Sequence, residues 1–541
     1  MAADDVLELK REWYQRYPHY PDYCSTPEQM DQRAIPPLFG GQDAPSAVGD
    51  TKLVHVTAIL RHGARTILDG PTGTTADGTS TATSNYQCWD GYWTSPETGI
   101  WDCGLKTLSM PPNPERIVEE EEGDTDPELQ KIDQEMIPEA MLLFTKQYDA
   151  LKAPQSNVLN GTCEQGQLIL QGYEQQVKNG QALRDAYLYQ EGKYSSTDSR
   201  MHLFQVGGGG RGGSNVLEPW ADETQLYLRS DDAQATMTSG QLLMRGLFEA
   251  ELIRSRNDKI QSVDSALNAK AFPTIPVHTA DYSRDILGGF REHCKALGLL
   301  QAASDSSWEY QQFLRSDEAQ EVQEFLGWHY VHDEQSILDC LMTTVCTDRP
   351  LPDRFGIYNP HPHSWFNRIA KYHVQNHSFH LNYNDAGEYR SKKHFELSSH
   401  SCLVMTDCDV RLRTHTCARF RCEYINTQPF LSEYSKLSMG PLWAEIMDHI
   451  APVLGDIMET QDRPRPPAKL AIYSGYDSTI MEILASLGAW KAEAWPPYAS
   501  MVLLEVSHNP TVEWKTGSFC PRVADTIASL SLDAFVVLLL L

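Results

Sequence analysis

Runs of apolar residues along the chain predict a series of short strands and amphipathic helices. Segments rich in β-prone residues predict five strands, at Leu53–Leu60, Gln225–Ser230, Pro276–Thr279, Lys469–Tyr473 and Met501–Val506. Apolar residues at spacings of three and four predict three helices, from Leu168 to Tyr187, from Thr238 to Phe248 and from Ser478 to Leu487. The first 50 residues show no clear periodicity and predict an extended arm that wraps the surface.

The first predicted strand ends abruptly in the charged string Arg61-His62-Gly63-Ala64-Arg65. In open α/β sheets, ligands bind beyond the carboxyl ends of the strands. Two guanidinium groups at such an end form a cationic pocket, because arginine keeps its charge and binds phosphate with two parallel hydrogen bonds. The imidazole between them is a candidate nucleophile. The alternative is a pair of surface arginines that flank a satisfied core histidine.

This string resembles the signature of the histidine phosphatase superfamily in its acid-phosphatase branch, branch 2, whose pattern ends in proline where this chain has Ile67. The helix after the first motif also resembles the family, through Gly172, Gly180 and Leu183-Arg184. Two later blocks, Arg229-Ser230 and Ser474-Gly475-Tyr476-Asp477, follow in the family's order. The similarity covers residues 50–65, 163–190, 225–250 and 465–540.

The resemblance implies an α/β fold, with a three-layer phosphoglycerate-mutase-like core, a mostly parallel sheet and an α-rich cap domain. The expected arm is residues 1–50. The core is residues 51–280 and 465–541, with an insertion at about 66–160, and the cap is residues 281–464.

The resemblance also implies a role for each matched residue. His62 and Asp477 are the expected catalytic pair, with His62 as the nucleophile that forms a phosphohistidine and Asp477 as the acid that protonates the leaving group. Arg61, Arg65 and Arg229 are expected to bind the phosphate. The family often has a further arginine six residues after Arg229, where this chain has Ala235. We interpret that departure as structural.

Tyr476 is the main departure from the family, which has histidine at that position as a further phosphate donor. A tyrosine offers one hydroxyl and no positive charge, and losing one such donor typically costs about 10²–10³ in rate. Tyr476 is either a substitute donor or a packed aromatic residue that marks decay. Asp477 is either the acid or only a cap of the helix that begins beside it.

The composition of the chain limits the classes of molecule that it is expected to bind. The 541 residues include 73 Asp and Glu against 45 Lys and Arg, for a net charge of −28, and such a chain repels nucleic acid. We expect a phosphorylated small molecule or glycan as substrate, with no cofactor and no metal, because no His, Cys, Asp or Glu group has ligand spacing. The apolar end, Phe535–Leu541, is too short to span a bilayer and predicts a docked helix rather than a transmembrane one.

Two functions from different classes remain open at this stage. The first is an acid-phosphatase-like phosphomonoester hydrolase, with activity reduced by Tyr476. The second is a pseudophosphatase that binds a phosphorylated ligand or serves as a structural subunit of a protein assembly. The start of the chain shows no signal peptide, which slightly favours a cytoplasmic or organellar location over secretion.

Overall fold

The structure is a computed structural model, and most of its secondary structure lies in well-defined blocks of the chain. It describes residues 13–33, 35, 52–67, 101, 163, 166–189, 199–206, 216–217, 225–248, 275–281, 284–288, 294–326, 334–356, 358, 360–383, 432–450, 468–487, 489–490, 494–508, 522–523, 530–532 and 535–540. The expected insertion at 66–160 lies almost wholly outside the described residues.

A mixed sheet forms the centre of the molecule. In the described part of the chain its strand order is β6-β5-β7-β1-β8-β11-β10-β9. Its strands are β1 (Lys52–Arg61), β5 (Leu226–Ser230), β6 (Val277–His278), β7 (Leu470–Gly475), β8 (Met501–His508), β9 (Arg522–Val523), β10 (Leu530–Leu532) and β11 (Phe535–Leu540). A smaller sheet contains β2 (Leu188–Tyr189), β3 (Phe204–Val206) and β4 (Val216–Leu217).

The half of the sheet that bears the predicted motifs is parallel. Strand β7 pairs in parallel with β1 on one side and with β5 on the other, and β5 pairs in parallel with β6. Arg61 lies opposite Gly475, and Ser230 lies opposite Ser474. Motifs more than 400 residues apart in the sequence therefore meet at one edge of the sheet. The remaining pairings, from β1–β8 to β10–β9, are antiparallel.

Ten helices accompany the sheet in the described residues. They are α1 (Pro27–Asp31), α2 (Leu170–Tyr187), α3 (Gln234–Leu247), α4 (Lys295–Asp305), α5 (Trp308–Leu314), α6 (Asp317–Leu326), α7 (Glu334–Cys346), α8 (Trp365–Leu381), α9 (Glu433–Ile450) and α10 (Asp477–Ser486). Short 3-10 helices span Asp22–Cys24, Ser199–Met201 and Asp353–Phe355.

Helices cover both faces of the sheet, which gives the expected three-layer α/β architecture. On one face, Leu183 of α2 and Leu243 of α3 pack with Leu60 and other sheet residues. On the other face, Ile446 of α9 and Ile480 of α10 pack with the sheet. Strands β1, β5 and β7 of the parallel half are therefore buried on both sides, whereas the edge strand β6 is half-buried.

A second core joins the helices between residues 294 and 381 to the end of β1. Leu341 of α7 and Ile369 of α8 belong to this core, together with Tyr23 of the N-terminal arm and Tyr498, which precedes β8. The disulfide Cys24–Cys346 links the arm to the end of α7. The proposed boundaries of arm, core and cap stay a prediction.

Two expectations about elements are wrong in detail. The apolar C-terminal run forms strand β11, which pairs antiparallel with β8 from Phe535↔Val506 to Leu540↔Met501, and not a docked helix. A short apolar run does not distinguish a buried strand from a helix, and the open edge of β8 supplies the backbone partner. Helix α3 begins at Gln234, four residues before the predicted Thr238. None of the described helices is both long and apolar enough to cross a membrane.

Candidate active site

The end of β1 is held from several sides, so that the side chains of Arg61 and His62 are fixed and buried. The His62 amide donates to the Gly475 carbonyl at 3.0 Å, and the His62 carbonyl accepts from the Ala499 amide at 3.0 Å. Gly63 packs directly on α2, where a Cβ atom at position 63 would lie 2.4 Å from the Gly172 carbonyl oxygen. The glycine of the motif is therefore required by this close contact between strand end and helix.

The imidazole of His62 is oriented by its own loop. Its Nδ1 lies 2.8 Å from the Gly63 carbonyl oxygen, which can only accept, so Nδ1 carries the proton and Nε2 carries the lone pair. The Arg65 Nε–H donates to this Nε2 at 3.3 Å. Burial, and then the charges of Arg65 and Arg61, lower the pKa of His62 well below its ordinary value. The neutral, nucleophilic form of the imidazole is therefore favoured in mild acid.

The guanidinium of Arg61 is fully buried and engaged by neighbours on all sides. It lies between the rings of Tyr23 and Tyr498, with its central carbon 4.6 Å from each ring centroid. Its Nη2 donates to the Tyr23 hydroxyl at 2.6 Å and lies 2.9 Å from Asp477 Oδ2, and its Nη1 donates to the Pro496 carbonyl. Its Nε has no hydrogen-bond partner. Nη2 thus donates one hydrogen bond and forms an ion pair with Asp477, and the N–H of Nε is the donor of this guanidinium that has no partner.

Asp477 serves the helix and the site with different oxygens. Its Oδ1 accepts from the Ser478 amide at 2.8 Å at the start of α10, and its Oδ2 accepts from Trp495 Nε1 at 2.8 Å and pairs with Arg61. Burial acts to raise the pKa of Asp477, but Arg61, the Trp495 hydrogen bond and His62 together lower it well below its usual range. One oxygen of this carboxylate therefore contacts the first turn of α10 and the other contacts Arg61, and the choice between acid and helix cap stays a prediction.

Arg65 is paired with a carboxylate from helix α7. Its Nη2 lies 2.9 Å from Asp339 Oδ1, its Nη1 lies 3.2 Å from Asp339 Oδ2, and Nη1 also donates to the Thr66 carbonyl at 2.9 Å. Burial acts to lower the pKa of Arg65 and the Asp339 carboxylate raises it, with a net increase. The guanidinium stays charged, and its two terminal nitrogens, which would bind a phosphate at two points, already donate to Asp339.

Arg229 lies in a neighbouring acidic cluster. Its Nη1 donates to Glu445 Oε2 at 3.0 Å and its Nη2 to Asp285 Oδ2 at 3.4 Å, while its buried Nε has no partner. The positive charges that act on His62 most strongly are Arg65 and Arg61, and Arg229 is not among the main causes of its shift. The predicted phosphate-binding role of Arg229 therefore stays a prediction.

Tyr476 lies between the residues around His62 and the acidic residues near Arg229. Its ring centroid lies 6.1 Å from that of His62, and its hydroxyl donates to Asp231 Oδ2. The hydroxyl thus has a carboxylate as its acceptor. Ala235, at the position where the family often has arginine, is buried in a small apolar cluster with Leu168 and Leu242.

The structure brings Arg61, His62, Arg65 and Asp477 into one buried cluster, as expected from the motifs. Sequence analysis missed four contributors, which are Tyr23, Asp339, Trp495 and Tyr498. None of them belongs to a periodic pattern or to a charged string. Only the density of tyrosines in the N-terminal arm was a signal for Tyr23.

The cluster can bind an anion and present a nucleophile to it. The unused N–H groups of Arg61 and Arg65 offer hydrogen bonds beside the lone pair of His62 Nε2. In the described part of the chain, no group of His, Cys, Asp and Glu residues is arranged to hold a metal ion.

Comparison with family models gives a match over most of the chain. A family model described as histidine phosphatase superfamily (branch 2) matches residues 52–512. Among curated proteins, Counting factor 60 of Dictyostelium discoideum is 21% identical over 366 residues, which is 67% of this chain and 64% of that protein. The match therefore spans less than two thirds of that relative's length.

Solved structures of phytases show a distant likeness. The Hafnia alvei phytase in complex with myo-inositol hexakis sulphate is 13% identical, with 86% of this chain and 82% of that chain covered at a TM-score of 0.35. The Bifidobacterium longum multiple inositol polyphosphate phosphatase in complex with inositol hexasulfate is 11% identical, with 88% of each chain covered at a TM-score of 0.33. Likeness at these TM-scores is too slight to transfer a substrate.

Proposed function

The chain belongs to the histidine phosphatase superfamily, branch 2, and from that premise we propose that it hydrolyses a phosphomonoester through a phosphohistidine on His62. The observation that carries the proposal is the state of His62. Its Nδ1 proton is held by the Gly63 carbonyl, its Nε2 keeps the lone pair and accepts a long hydrogen bond from Arg65, and its pKa is lowered by burial and two arginines. These are the properties of an activated nucleophile.

In the first step, His62 Nε2 attacks phosphorus and the bond to the leaving oxygen breaks. The unused N–H groups of Arg61 and Arg65 bind the non-bridging oxygens and stabilise their charge in the transition state. Asp477 donates a proton to the leaving oxygen, which departs as an alcohol. The negative charge of the bound phosphoryl group opposes Arg61 and thereby raises the pKa of Asp477, which lets this carboxyl group carry a proton.

In the second step, water attacks the phosphohistidine and releases inorganic phosphate. Asp477, now ionised, accepts a proton from the water, and His62 Nε2 leaves phosphorus with its lone pair restored. The Gly63 carbonyl holds the same Nδ1 proton through both steps, so the imidazole needs no tautomer change. Asp477 returns to its protonated form at the end of the cycle.

The test is release of phosphate from a generic aryl phosphate by the purified protein between pH 4 and 7. We expect turnover by the wild-type protein and none above background by His62→Ala, because the nucleophile is removed. His361→Ala is the matched control, since this histidine is exposed and lies outside the site. Equal background release by the wild-type protein and His62→Ala would overturn the proposal.

A second candidate function is a pseudophosphatase that binds a phosphorylated ligand or acts as a subunit of an assembly. The observation that favours it is the engagement of Tyr476, whose hydroxyl donates to Asp231. A Tyr476→His variant separates the two candidates. A gain in turnover above the wild-type rate supports a site muted at this residue, whereas phosphate binding without turnover in both proteins supports the pseudophosphatase.

A further inference from the structure

We propose that Asp339, on helix α7, competes with the substrate for Arg65 and must release this guanidinium before a phosphoryl group is fully bound. The proposal deepens the proposed function, because it concerns the same site. Asp339 lies between residues 281 and 464, the part of the chain without a family motif.

Most of the N–H donors of Arg65 are already engaged in the structure. A guanidinium has five N–H groups. One is directed to His62 Nε2, one to the Thr66 carbonyl and two to the carboxylate of Asp339. One N–H therefore remains, and a two-point contact between Arg65 and a phosphoryl group requires Asp339 to release the fork.

The Arg65–Asp339 pairing also restrains the nucleophile, His62. With its fork on Asp339, Arg65 directs Nε to the lone pair of His62 at 3.3 Å. That lone pair must be free to attack phosphorus. When a phosphoryl group replaces Asp339, the Arg65 guanidinium turns toward the ligand, and the hydrogen bond that occupies Nε2 is lost.

The charges around His62 are balanced in the structure. Arg61 and Arg65 contribute two positive charges to the cluster, and Asp477 and Asp339 contribute two negative charges, while His62 is neutral. Both partners of the Arg65–Asp339 pair are shielded, with 5% and 12% of their side chains exposed. A phosphate dianion that entered beside both carboxylates would be repelled in a poorly solvated site, so displacement of Asp339 is the change that admits it.

Helix α7 holds Asp339 in place through one face. Asp339, Thr343 and Cys346 follow at spacings of four and three residues, so they lie along one side of the helix. Thr343 Oγ1 lies 3.0 Å from the Tyr498 hydroxyl, and Cys346 is bonded to Cys24 of the arm. These anchors fix the backbone of α7, so the Arg65–Asp339 pairing is favoured. Its displacement therefore requires only the Asp339 side chain to move, and not the helix.

The experiment is titration of the purified protein with inorganic phosphate by calorimetry. We expect Asp339→Asn to bind phosphate at least ~10-fold more tightly than the wild-type protein, because a like charge at this range changes affinity by one to three powers of ten. The matched control is Glu321→Gln on α6, which removes the same charge from an exposed pair with Arg368. The control should bind like the wild-type protein.

A double-mutant cycle locates the effect. In an Arg65→Gln background, the gain in phosphate affinity from Asp339→Asn should be smaller than in the wild-type background, because carboxylate and phosphate no longer compete for the Arg65 guanidinium and only their mutual repulsion remains. Equal or weaker binding by Asp339→Asn in the wild-type background, or an absence of binding in both proteins, overturns the proposal, as does an equal gain in Glu321→Gln. Tighter binding without His62-dependent turnover would support Asp339 as the competitor and refute hydrolysis, so the two proposals fail separately.

Discussion

At the scale of single residues, the site is defined by which partner each charged group has. Three of the charges expected from the motifs, Arg61, Arg65 and Asp477, surround His62, and each is matched by an opposite charge. Two arginines beside a buried imidazole favour its neutral form. The protonation state of His62 is therefore the property most directly set by these neighbours.

We expect the His62 imidazole of the substrate-free protein to stay neutral well below pH 6.5, because burial, Arg65 and Arg61 all lower its pKa. The measurement is the pH dependence of the His62 ring signals by NMR, assigned with His62→Ala. In Arg65→Gln the midpoint should move upward, since one of the lowering charges is lost. A wild-type midpoint at or above 6.5 would contradict the arrangement described.

The strand-end motifs were sufficient to predict which residues of β1 and β7 meet, because short strands of β-prone residues leave charged residues at one edge of a sheet. They were not sufficient to predict Tyr23 or Asp339. These side chains reach the site through the fold of the arm, which has no clear periodicity, and of α7, which lies in the stretch without a family motif. Arg229 shows the same limit, because its strand was predicted correctly but its carboxylate partners lie in α9 and in a loop.

At the scale of elements, the position of β1 depends on how closely α2 and α3 approach each other. A Cβ atom at Gly180 of α2 would lie 2.0 Å from the Leu243 carbonyl oxygen, and one at Gly246 of α3 would lie 2.1 Å from the Val177 carbonyl oxygen. The glycine that resembles the family far from any catalytic residue is thus explained by a contact between helix backbones.

We expect Gly180→Ala to destabilise the protein by about 1–3 kcal/mol, because the backbones must separate to admit a methyl group. Gly298→Ala is the matched control, since no atom lies within 4 Å of a Cβ at that position in α4, and it should stabilise by about 0.5–1 kcal/mol. Denaturant unfolding measures both. Equal effects of the two substitutions would show that helix propensity, and not the contact, determines the result.

At the scale of the whole molecule, a buried carboxyl group and disulfides make the stability of the fold depend on the pH and the redox conditions of the solvent. Glu505 of β8 lies inside the sheet layer, where its Oε1 accepts from the Tyr187 hydroxyl at 2.6 Å, and burial raises its pKa to about 7. Cys24 and Cys346 form a disulfide, and Cys163, Cys294 and Cys340 are also disulfide-bonded. Disulfides form and persist in oxidising compartments, and the location of the protein stays a prediction.

We expect the part of the stability that Glu505 contributes to fall as pH rises from about 4.5 to about 7, while buried neutral histidines such as His55 and His62 contribute in the opposite direction. The folded state retains the Glu505 proton up to about pH 7, whereas the unfolded chain, with the ordinary pKa of 4.5, releases it earlier, so at this group the folded state binds more protons in this window. The contribution is on the order of 3 kcal/mol. Glu505→Gln should remove this part of the slope in unfolding experiments across that range, and an unchanged slope would contradict the assignment.

The Cys24–Cys346 bond has a consequence for the timing of synthesis. Its two cysteines are separated by 322 positions, so at 5–20 residues per second Cys24 leaves the ribosome roughly 15–65 s before its partner. Strand β7, which brings Asp477, follows later still. Throughout that interval the nascent chain holds the arm and β1 without the residues that complete the pocket, and the earliest thiol must be kept from other partners until Cys346 has emerged.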